Sequence, residues 1–342
     1  MKPPREVAVV GAGSWGTALA FHLANKGLDV SLWAYESEVA AQIQDRRENQ
    51  TYLPGVMLPE RVRASSDLAE VVGGRPVVLL VVPSHVLRLV VTSLAPWLSP
   101  GVVLTSAAKG VENETLMTMC QVIEDVLPPD LAVHRVCLSG PTFAREVGQG
   151  LPTALTVASP DREAAALMQQ LLASPLMRVY TSQDLIGVEL GGSLKNIFAL
   201  AAGISDGLNL GANARAALIT RGLAEMSRLG VKMGANPLTF MGLTGLGDLV
   251  LTCTSDLSRN RTVGLKIGRG LKLDDILKEM KMVAEGVKTT KSAYDLARRE
   301  GVDMPMTEQV YYVLYNGKDP KQGLIELMTR RLKEEIDHGL LG

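Results

Sequence analysis

Short apolar runs rich in valine alternate with helix-like segments through the first half of the chain. This alternation is typical of a parallel sheet that carries helices on its faces. Six runs predict strands of that sheet, and two further runs extend it in a direction that the pattern leaves open. The six lie at Val7–Val10, Val30–Ala34, Val62–Ala64, Val77–Val82, Val102–Ser106 and Arg135–Leu138, and the further two at Ala154–Ala158 and Arg178–Thr181.

The pattern changes after about Gln183, where glycine and alanine punctuate amphipathic segments and strand-like runs disappear. Such periodicity predicts helices. A chain of 342 residues is also longer than one ordinary core requires, which favours two domains. We therefore predict a Rossmann-like doubly wound α/β domain over residues 1–182, followed by an all-α domain over residues 183–342.

A lone lysine, Lys195, stands in the run GVELGGSLKNIFALAAG, which otherwise consists mainly of small and apolar residues. The run predicts a buried helix in which Gly191 and Gly192 let another backbone or a flat ligand come close. Burial disfavours the charged form of a lysine, so its pKa moves towards neutral pH. The alternative is a core helix whose lysine extends its ammonium group to the surface.

The composition of the chain limits the kinds of molecule that we expect it to bind. The formal net charge of −1 gives no basic patch for nucleic acid, and the longest strongly apolar run, Val77–Val82, is far shorter than the roughly 20 residues of a membrane span. The N-terminus enters a strand pattern without a leader-like segment, which predicts a cytoplasmic protein. Cys120, Cys137 and Cys253 are widely spaced, so we expect neither a metal site nor a disulfide framework.

Gly11, Gly13 and Gly16 form a GxGxxG motif between the first strand and the first helix. At this junction the motif predicts dinucleotide binding, with the pyrophosphate at the helix N-terminus. Glu36, near the end of the second strand, favours NAD, whereas Arg46 and Arg47 follow in the next helix. The choice between NAD and NADP stays open, and Glu36 is equally well explained as a helix-start carboxylate.

Further polar residues follow strands or begin helices, and each has a second explanation. Lys109 ends a strand and either binds an anion or lies at the surface. The turn at Gly140 and Thr142 is expected to bind ligand; the alternative for Thr142 is a helix cap, and the two roles are compatible. The run Ser258, Arg259, Asn260 forms an anion site at a helix start or a solvated basic turn. Asp248 and Glu285 are acids near helix starts whose roles the sequence alone does not decide.

Together these motifs resemble the NAD(P)-dependent glycerol-3-phosphate dehydrogenase family, in its bacterial-type form. The resemblance runs nearly the whole length, through VAVVGAGSWGTALA, VVPSH, AAKG, SGPTFARE, ELGGSLKNIFALAAGISDGLNLGANARAALITRGLAEM, GLGDLVLTCTSDLSRNR and AEG. The resemblance implies reversible reduction of dihydroxyacetone phosphate to sn-glycerol 3-phosphate, a precursor of phospholipids.

The resemblance also implies roles for individual residues. Lys195 would accept the proton when the alcohol is oxidised. In relatives that use NADP the position of Tyr35 often carries a basic or His side chain, so the tyrosine speaks against a preference for NADP but not against a dinucleotide. Substrate contacts would fall on Lys109, Gly140, Thr142, Lys195, Asp248, Ser258, Arg259 and Asn260, and cofactor contacts on Ser14, Trp15, Tyr35, Tyr52, Lys109, Ala144, Arg259, Val283 and Glu285.

Two alternative functions fit parts of the sequence. A β-hydroxyacid or 6-phosphogluconate type dehydrogenase shares this build, but the Ser258, Arg259, Asn260 cluster fits the glycerol-phosphate family better. A nucleotide-sensing binding protein would not need Lys195. We expect a small phosphorylated substrate, no nucleic acid, no stable membrane insertion, and a homodimer as the assembly.

Overall fold

The computed structural model describes residues 1–280, 284–332 and 334–335. These residues form an α/β part with an eight-stranded sheet, followed by a part built from helices. The predicted fold class, a Rossmann-like doubly wound domain followed by an all-α domain, is confirmed.

The chain divides into two compact units. The first consists of Met1–Ala108 and Met119–Leu185, and the second of Lys109–Thr118 together with the described residues from Ile186 onward. The second unit therefore begins close to the predicted boundary at Ser182. It also takes up the segment Lys109–Thr118, which that boundary placed in the first domain.

All eight predicted strands are present in the first unit, with bounds that differ by a few residues. A short hairpin, β3 and β4, was not predicted, because Pro54 and Gly55 interrupt any apolar alternation there. The strands are β1 (Glu6–Val10), β2 (Asp29–Trp33), β3 (Glu48–Asn49), β4 (Leu53–Met57), β5 (Val62–Ser65), β6 (Val77–Leu80), β7 (Val103–Ser106), β8 (His134–Ser139), β9 (Thr153–Ala158) and β10 (Met177–Ser182).

The strand order of the large sheet is β10-β9-β8-β7-β6-β1-β2-β5. Neighbours run parallel except β8 and β9, which are antiparallel. The last two strands, whose direction the sequence left open, are thus reversed relative to the others. The chain moves outward in opposite directions on the two sides of β1, so a topological switch point lies between β1 and β6. Ligands bind at the carboxyl ends of strands at such a point.

Seven helices pack in this unit around a core of strand valines and leucines, among them Val7, Val9, Leu32 and Leu79, none of which is exposed to solvent. The strands that lie inside the sheet are covered on both faces, which explains their nearly continuous apolar runs. The helices are α1 (Ser14–Asn25), α2 (Ser37–Arg46), α3 (Leu68–Val72), α4 (Leu87–Leu94), α5 (Met119–Val126), α6 (Ala144–Gly148) and α7 (Arg162–Leu172).

The second unit is organised around one long helix, α8, which is buried along most of its length. This is the helix predicted around Lys195. The helices are α8 (Leu185–Gly207), α9 (Gly211–Lys232), α10 (Pro237–Phe240), α11 (Asp248–Thr254), α12 (Arg259–Gly268), α13 (Leu273–Lys278), α14 (Glu285–Glu300), α15 (Pro305–Tyr315) and α16 (Pro320–Met328).

Among the described residues, α8 is the one single helix long and apolar enough to cross a membrane. The pair Pro237–Thr254 and Arg259–Gly268, bent by 49°, passes the same test only when taken as one span. In the most apolar window of α8, 83% of the residues are buried inside the protein. The core helix of a globular protein has the same length and composition.

Helices α8 and α12 touch backbone to backbone. Gly203 and Gly207 on α8 face Gly264 and Gly268 on α12, with a spacing of four residues on each helix. A Cβ on Gly203 would lie 2.7 Å from the backbone nitrogen of Leu265, and one on Gly207 would lie 2.5 Å from its carbonyl oxygen. Real Cβ atoms do not approach so closely, so the crossing requires glycine.

We expect Gly203→Ala to destabilise the protein by about 2 kcal/mol or more, because the added methyl group forces two backbones apart. Helix propensity alone would change stability in the opposite direction by about 1 kcal/mol. Chemical denaturation measures the change in the free energy of unfolding and therefore its sign. Ala216→Gly, on the exposed face of α9, calibrates the propensity effect, and a stabilised Gly203→Ala protein would contradict the close crossing.

Candidate active site

A buried carboxylate lies between two lysines in the second unit. Asp248, fully buried at the start of α11, accepts a hydrogen bond from Lys195 Nζ at Oδ1 and another from Lys109 Nζ at Oδ2, the second at 2.7 Å. Lys195 is only 6% exposed, so its ammonium does not extend to the surface. The predicted residues Lys109, Lys195 and Asp248, distant in sequence, therefore form one ionic cluster.

The environment of Lys195 lowers its pKa to about 7. Burial is the largest cause, because it disfavours the charged form. The Asp248 carboxylate opposes this shift, and the positive charge of Lys109 adds to it. A lysine with this pKa both donates and accepts a proton near neutral pH.

Thr252 completes the surroundings of Lys195 and was not predicted. Its Oγ1 accepts a hydrogen bond from Lys195 Nζ at 2.8 Å and donates one to the carbonyl oxygen of Asp248 at 2.6 Å. Thr252 follows Asp248 by four residues on α11, so the two share one helix face. That spacing is the signal in the sequence from which Thr252 could have been found.

The segment that carries Lys109 is held against α8 by buried side chains. Ser193 Oγ lies 3.1 Å from the carbonyl oxygen of Gly110 and 2.7 Å from that of Glu189. Thr118 Oγ1 donates to Glu189 Oε2 at 2.8 Å. These contacts fix both ends of the segment on the helix that bears Lys195.

The start of α12 lies beside the turn of α8 that bears Lys195. Ser258 is the N-cap residue of α12, and its side chain accepts a hydrogen bond from the backbone nitrogen of Arg261, as predicted for a helix start. Asn260 Nδ2 donates to Asn196 Oδ1 at 3.0 Å, and its Oδ1 accepts from Gly286 N at 2.9 Å. One buried amide thus joins α12, α8 and α14.

Arg259 stands in the first turn of α12 and is exposed. Its guanidinium has no hydrogen-bond partner among the residues that the structure describes, and the negative charge of Glu285 lies close enough to interact with it. An exposed guanidinium at a helix start suits an anionic ligand. Glu285 is the first residue of α14, whereas Val283, also predicted to contact the cofactor, lies outside the described residues.

The glycine turn in the first unit meets the geometric demands of a dinucleotide site. Gly11 has φ +116°, and a Cβ there would lie 2.6 Å from Val81 O; a Cβ on Gly16 would overlap Gly11 O. A Cβ on Gly13 would meet no atom within 4 Å. Packing therefore requires the first and third glycines, whereas the second leaves open space, as the approach of a pyrophosphate demands.

The other predicted contacts of this unit surround the same turn or follow a strand. Helix α1 begins after Gly13 with Ser14 and without a side-chain cap. Trp15 Nε1 is buried with no hydrogen-bond partner in the described part of the chain. Ala144 begins α6, which packs against α1.

Gly140 and Thr142 lie in the turn after β8. Gly140 has φ +143°, and a Cβ there would lie 3.0 Å from Leu155 Cα. Thr142 Oγ1 donates to the carbonyl oxygen of Gly140 at 3.2 Å. The alternative role of Thr142 as a helix cap is wrong, because Phe143 occupies the N-cap position of α6 and no side chain caps that helix.

Tyr35 and Tyr52 lie near the end of β2. Tyr35 is 80% exposed and meets Trp33 edge to face, with ring centroids 6.1 Å apart. Tyr52 donates a hydrogen bond from its hydroxyl to Glu36 Oε1 at 2.8 Å. An exposed aromatic ring and a fixed carboxylate suit the adenosine end of a dinucleotide.

A doubly wound unit with a dinucleotide turn, joined to a helical unit with a buried lysine of near-neutral pKa, defines the class of nicotinamide-dependent dehydrogenases. Family models narrow this class: the NAD-dependent glycerol-3-phosphate dehydrogenase N-terminus matches residues 6–165, and the C-terminus of the same family matches residues 184–325. The chain belongs to the NAD-dependent glycerol-3-phosphate dehydrogenase family. It is an NAD(P)-dependent oxidoreductase.

Individual relatives agree with this assignment. A glycerol-3-phosphate dehydrogenase (NAD(P)+) of Syntrophobacter fumaroxidans is 56% identical over 339 residues, covering 99% of this chain and 100% of the relative. One from Geobacter metallireducens is 60% identical over 330 residues, covering 96% and 98%. The crystal structure of glycerol-3-phosphate dehydrogenase from Coxiella burnetii matches with a TM-score of 0.91 at 42% identity, covering 96% of this chain and 100% of that one.

These findings confirm the predicted family and enzyme class, and a cofactor that is NAD or NADP. They decide against the alternative dehydrogenase types and against a non-catalytic nucleotide sensor.

We expect Asp248→Asn to lower the pKa of Lys195 below about 7. The neutral amide no longer favours the ammonium form, while burial and Lys109 still oppose it. NMR titration of ¹³Cε-labelled lysines measures this pKa. Asp256→Asn removes an exposed carboxylate that pairs with Arg261, and it should leave the pKa of Lys195 unchanged. A rise of the Lys195 pKa in Asp248→Asn would contradict the electrostatic account.

Proposed function

We propose that this chain catalyses the reversible NAD(P)H-dependent reduction of dihydroxyacetone phosphate to sn-glycerol 3-phosphate, with Lys195 as the general acid/base. The observation that carries the proposal is the buried cluster of Lys195, Asp248 and Lys109, in which one lysine titrates at about pH 7. A ketone reduction needs one hydride at carbon and one proton at oxygen. The cofactor supplies the hydride when it is bound, so the protein must supply the proton.

Lys195 is arranged to manage that proton. As an ammonium group it has three N–H bonds, of which one goes to Asp248 and one to Thr252. We assign the third N–H bond to the substrate, where it protonates the ketone oxygen as the C–O double bond becomes a C–OH single bond. In the oxidation the neutral amine removes the hydroxyl proton.

Asp248 and Lys109 set the charge around the reacting oxygen. With both lysines protonated the cluster carries a net charge of +1, which stabilises negative charge that develops on the oxygen during hydride transfer. The two ammonium groups would repel each other in this buried site, and the Asp248 carboxylate between them offsets that repulsion.

The substrate phosphate is assigned to the start of α12. Arg259 is exposed and lacks a hydrogen-bond partner among the described residues, and a helix N-terminus favours an anion. Asn260, tied to Asn196 beside Lys195, keeps a second N–H for the substrate. Binding a remote phosphate provides energy that orients the ketone for reaction. Gly140, Thr142 and Ser258 complete the proposed substrate contacts.

The cofactor is assigned to the glycine turn of the first unit, with the pyrophosphate over Gly13 and the start of α1. The residues proposed to contact it are Gly11, Gly13, Ser14, Trp15, Gly16, Tyr35, Tyr52, Lys109, Ala144, Arg259, Val283 and Glu285.

The product, glycerol 3-phosphate, is a building block of phospholipids, and we propose that the enzyme supplies it for their synthesis. The homodimer and the cytoplasmic location stay predictions.

Replacing Lys195 tests its role. Both Lys195→Met and Lys195→Arg should lower kcat/KM by about 10²–10⁴-fold, because neither side chain exchanges a proton near pH 7. In the wild type, oxidation of glycerol 3-phosphate should rise with pH through about 7, where the amine forms, and ketone reduction should fall over the same range. Initial rates from pH 5 to 9 in both directions measure these profiles.

Glu225 provides the control, because it is a second buried group, among the residues that the structure describes, whose pKa lies at about 7. Burial raises the pKa of this carboxyl, which accepts hydrogen bonds from the backbone at Met306 and Thr307. Glu225→Gln should therefore keep the pH profiles. Loss of the profiles in Glu225→Gln, or full activity of Lys195→Arg, would contradict the proposal.

A further inference from the structure

A buried asparagine braces the dinucleotide turn from the side. Asn49, in β3, is fully buried, and its Nδ2 donates to the carbonyl oxygen of Ala12 and to Thr17 Oγ1, each at 2.8 Å. Ala12 lies inside the glycine motif, and Thr17 lies in the first turn of α1. Asn49 therefore fixes the loop that begins the helix, although it belongs to a hairpin outside the large sheet.

The same hairpin reaches the end of β2. The backbone nitrogen of Tyr52 donates to Asn49 Oδ1 at 3.0 Å, and the Tyr52 hydroxyl donates to Glu36 Oε1 at 2.8 Å. This hydrogen bond to a carboxylate is the largest cause that raises the pKa of Tyr52, so the phenol stays protonated and keeps donating. A continuous chain of contacts thus runs from Ala12 through Asn49 and Tyr52 to Glu36.

No cation neutralises Glu36 among the described residues. Arg46 donates to Gln50 Oε1 at 2.9 Å, and Arg47 donates to the carbonyl oxygens of Leu58 and Pro59. The two arginines that follow the second strand therefore donate hydrogen bonds to the hairpin and to the loop after it. The Glu36 carboxylate is therefore held by the Tyr52 hydroxyl, and no ion pair with a described cation opposes its charge.

We propose that Glu36, held by Tyr52 and Asn49, makes this enzyme select NAD(H) over NADP(H). Glu36 is the specificity-determining residue, and Tyr52 and Asn49 are positioning residues that set its carboxylate at a constant distance from the pyrophosphate turn. The proposal rests on the dinucleotide site described above and not on the role of Lys195.

The physical reason lies in the ribose that bears the adenine. An acid at the end of the second strand accepts hydrogen bonds from the ribose hydroxyls of NAD. In NADP a phosphate replaces the 2′-hydroxyl, which removes a donor and places negative charge near the carboxylate. Like charges in contact are strongly unfavourable. Because the hairpin ties Glu36 to the turn that holds the pyrophosphate, the carboxylate is not expected to turn away from that phosphate.

Binding titrations test the selection without turnover. Dissociation constants of NADH and NADPH are measured by quenching of tryptophan fluorescence, with the thermal midpoint of each variant as a check on folding. The wild type should bind NADH at least about tenfold more tightly than NADPH. Glu36→Gln should tighten NADPH binding about tenfold and change NADH binding little. Glu38→Gln, which removes a charge one residue into the same helix start, should leave both constants unchanged.

Tyr52→Phe separates orientation from charge. It keeps the Glu36 carboxylate but removes the bond that holds it, so NADH binding should weaken several-fold while NADPH binding stays weak. Competition of ADP and 2′,5′-ADP against NADH isolates the adenosine end. ADP should compete better than 2′,5′-ADP in the wild type and in Glu38→Gln, and should lose this advantage in Glu36→Gln.

Some results would refute the cofactor selection, and another would refute the dinucleotide site. Equal binding of NADH and NADPH by the wild type, or an unchanged ratio in Glu36→Gln, would refute the selection while leaving the dinucleotide site intact. Failure of both dinucleotides to bind would refute the site itself. Loss of activity with the predicted binding preserved would instead count against the proposed function alone.

Discussion

The second unit depends on one buried carboxylate that two lysines share. Asp248 is fully buried, and both of its oxygens accept hydrogen bonds from ammonium groups, those of Lys195 and Lys109. Removing one partner from a buried ion pair costs about 3–5 kcal/mol, so the elements that bear these residues must keep their distances. When both lysines are protonated, one positive charge remains in excess, and it suits the anionic substrate and the developing alkoxide that we propose.

Glycine keeps those distances short. A Cβ on Gly191 of α8 would lie 2.7 Å from the carbonyl oxygen of Thr244, just before the helix that bears Asp248. A Cβ on Gly286 would lie 2.7 Å from the carbonyl oxygen of Asn196. Together with the glycines that join α8 and α12, these contacts pack the helices that bear Asp248, Arg259 and Glu285 against α8. The close approach expected of Gly191 from the sequence is confirmed, and its partner is protein backbone.

Local sequence patterns predicted the strands and the helix starts. The contacts between residues distant in sequence could not be predicted in the same way. Valine runs identify strands because each strand is buried on both faces, and Ser258 identifies a helix start because the cap is local. The carboxylate that pairs with Lys195 lies 53 residues away in sequence, and Lys109 joins the helical unit although it follows a sheet strand. Asn49 carried no signal, because a two-residue strand has no periodicity.

We propose that Lys195 in the helical unit protonates a ketone that carries a phosphate, while the nicotinamide cofactor supplies the hydride. The most direct test compares kcat/KM for dihydroxyacetone phosphate and for dihydroxyacetone, with NADH and with NADPH, in the wild type and in Arg259→Ala. We predict strong preference for the phosphorylated ketone, and a loss of about ten- to a hundredfold for that ketone alone in Arg259→Ala. Equal turnover of the two ketones, or no cofactor oxidation with dihydroxyacetone phosphate, would contradict the claim.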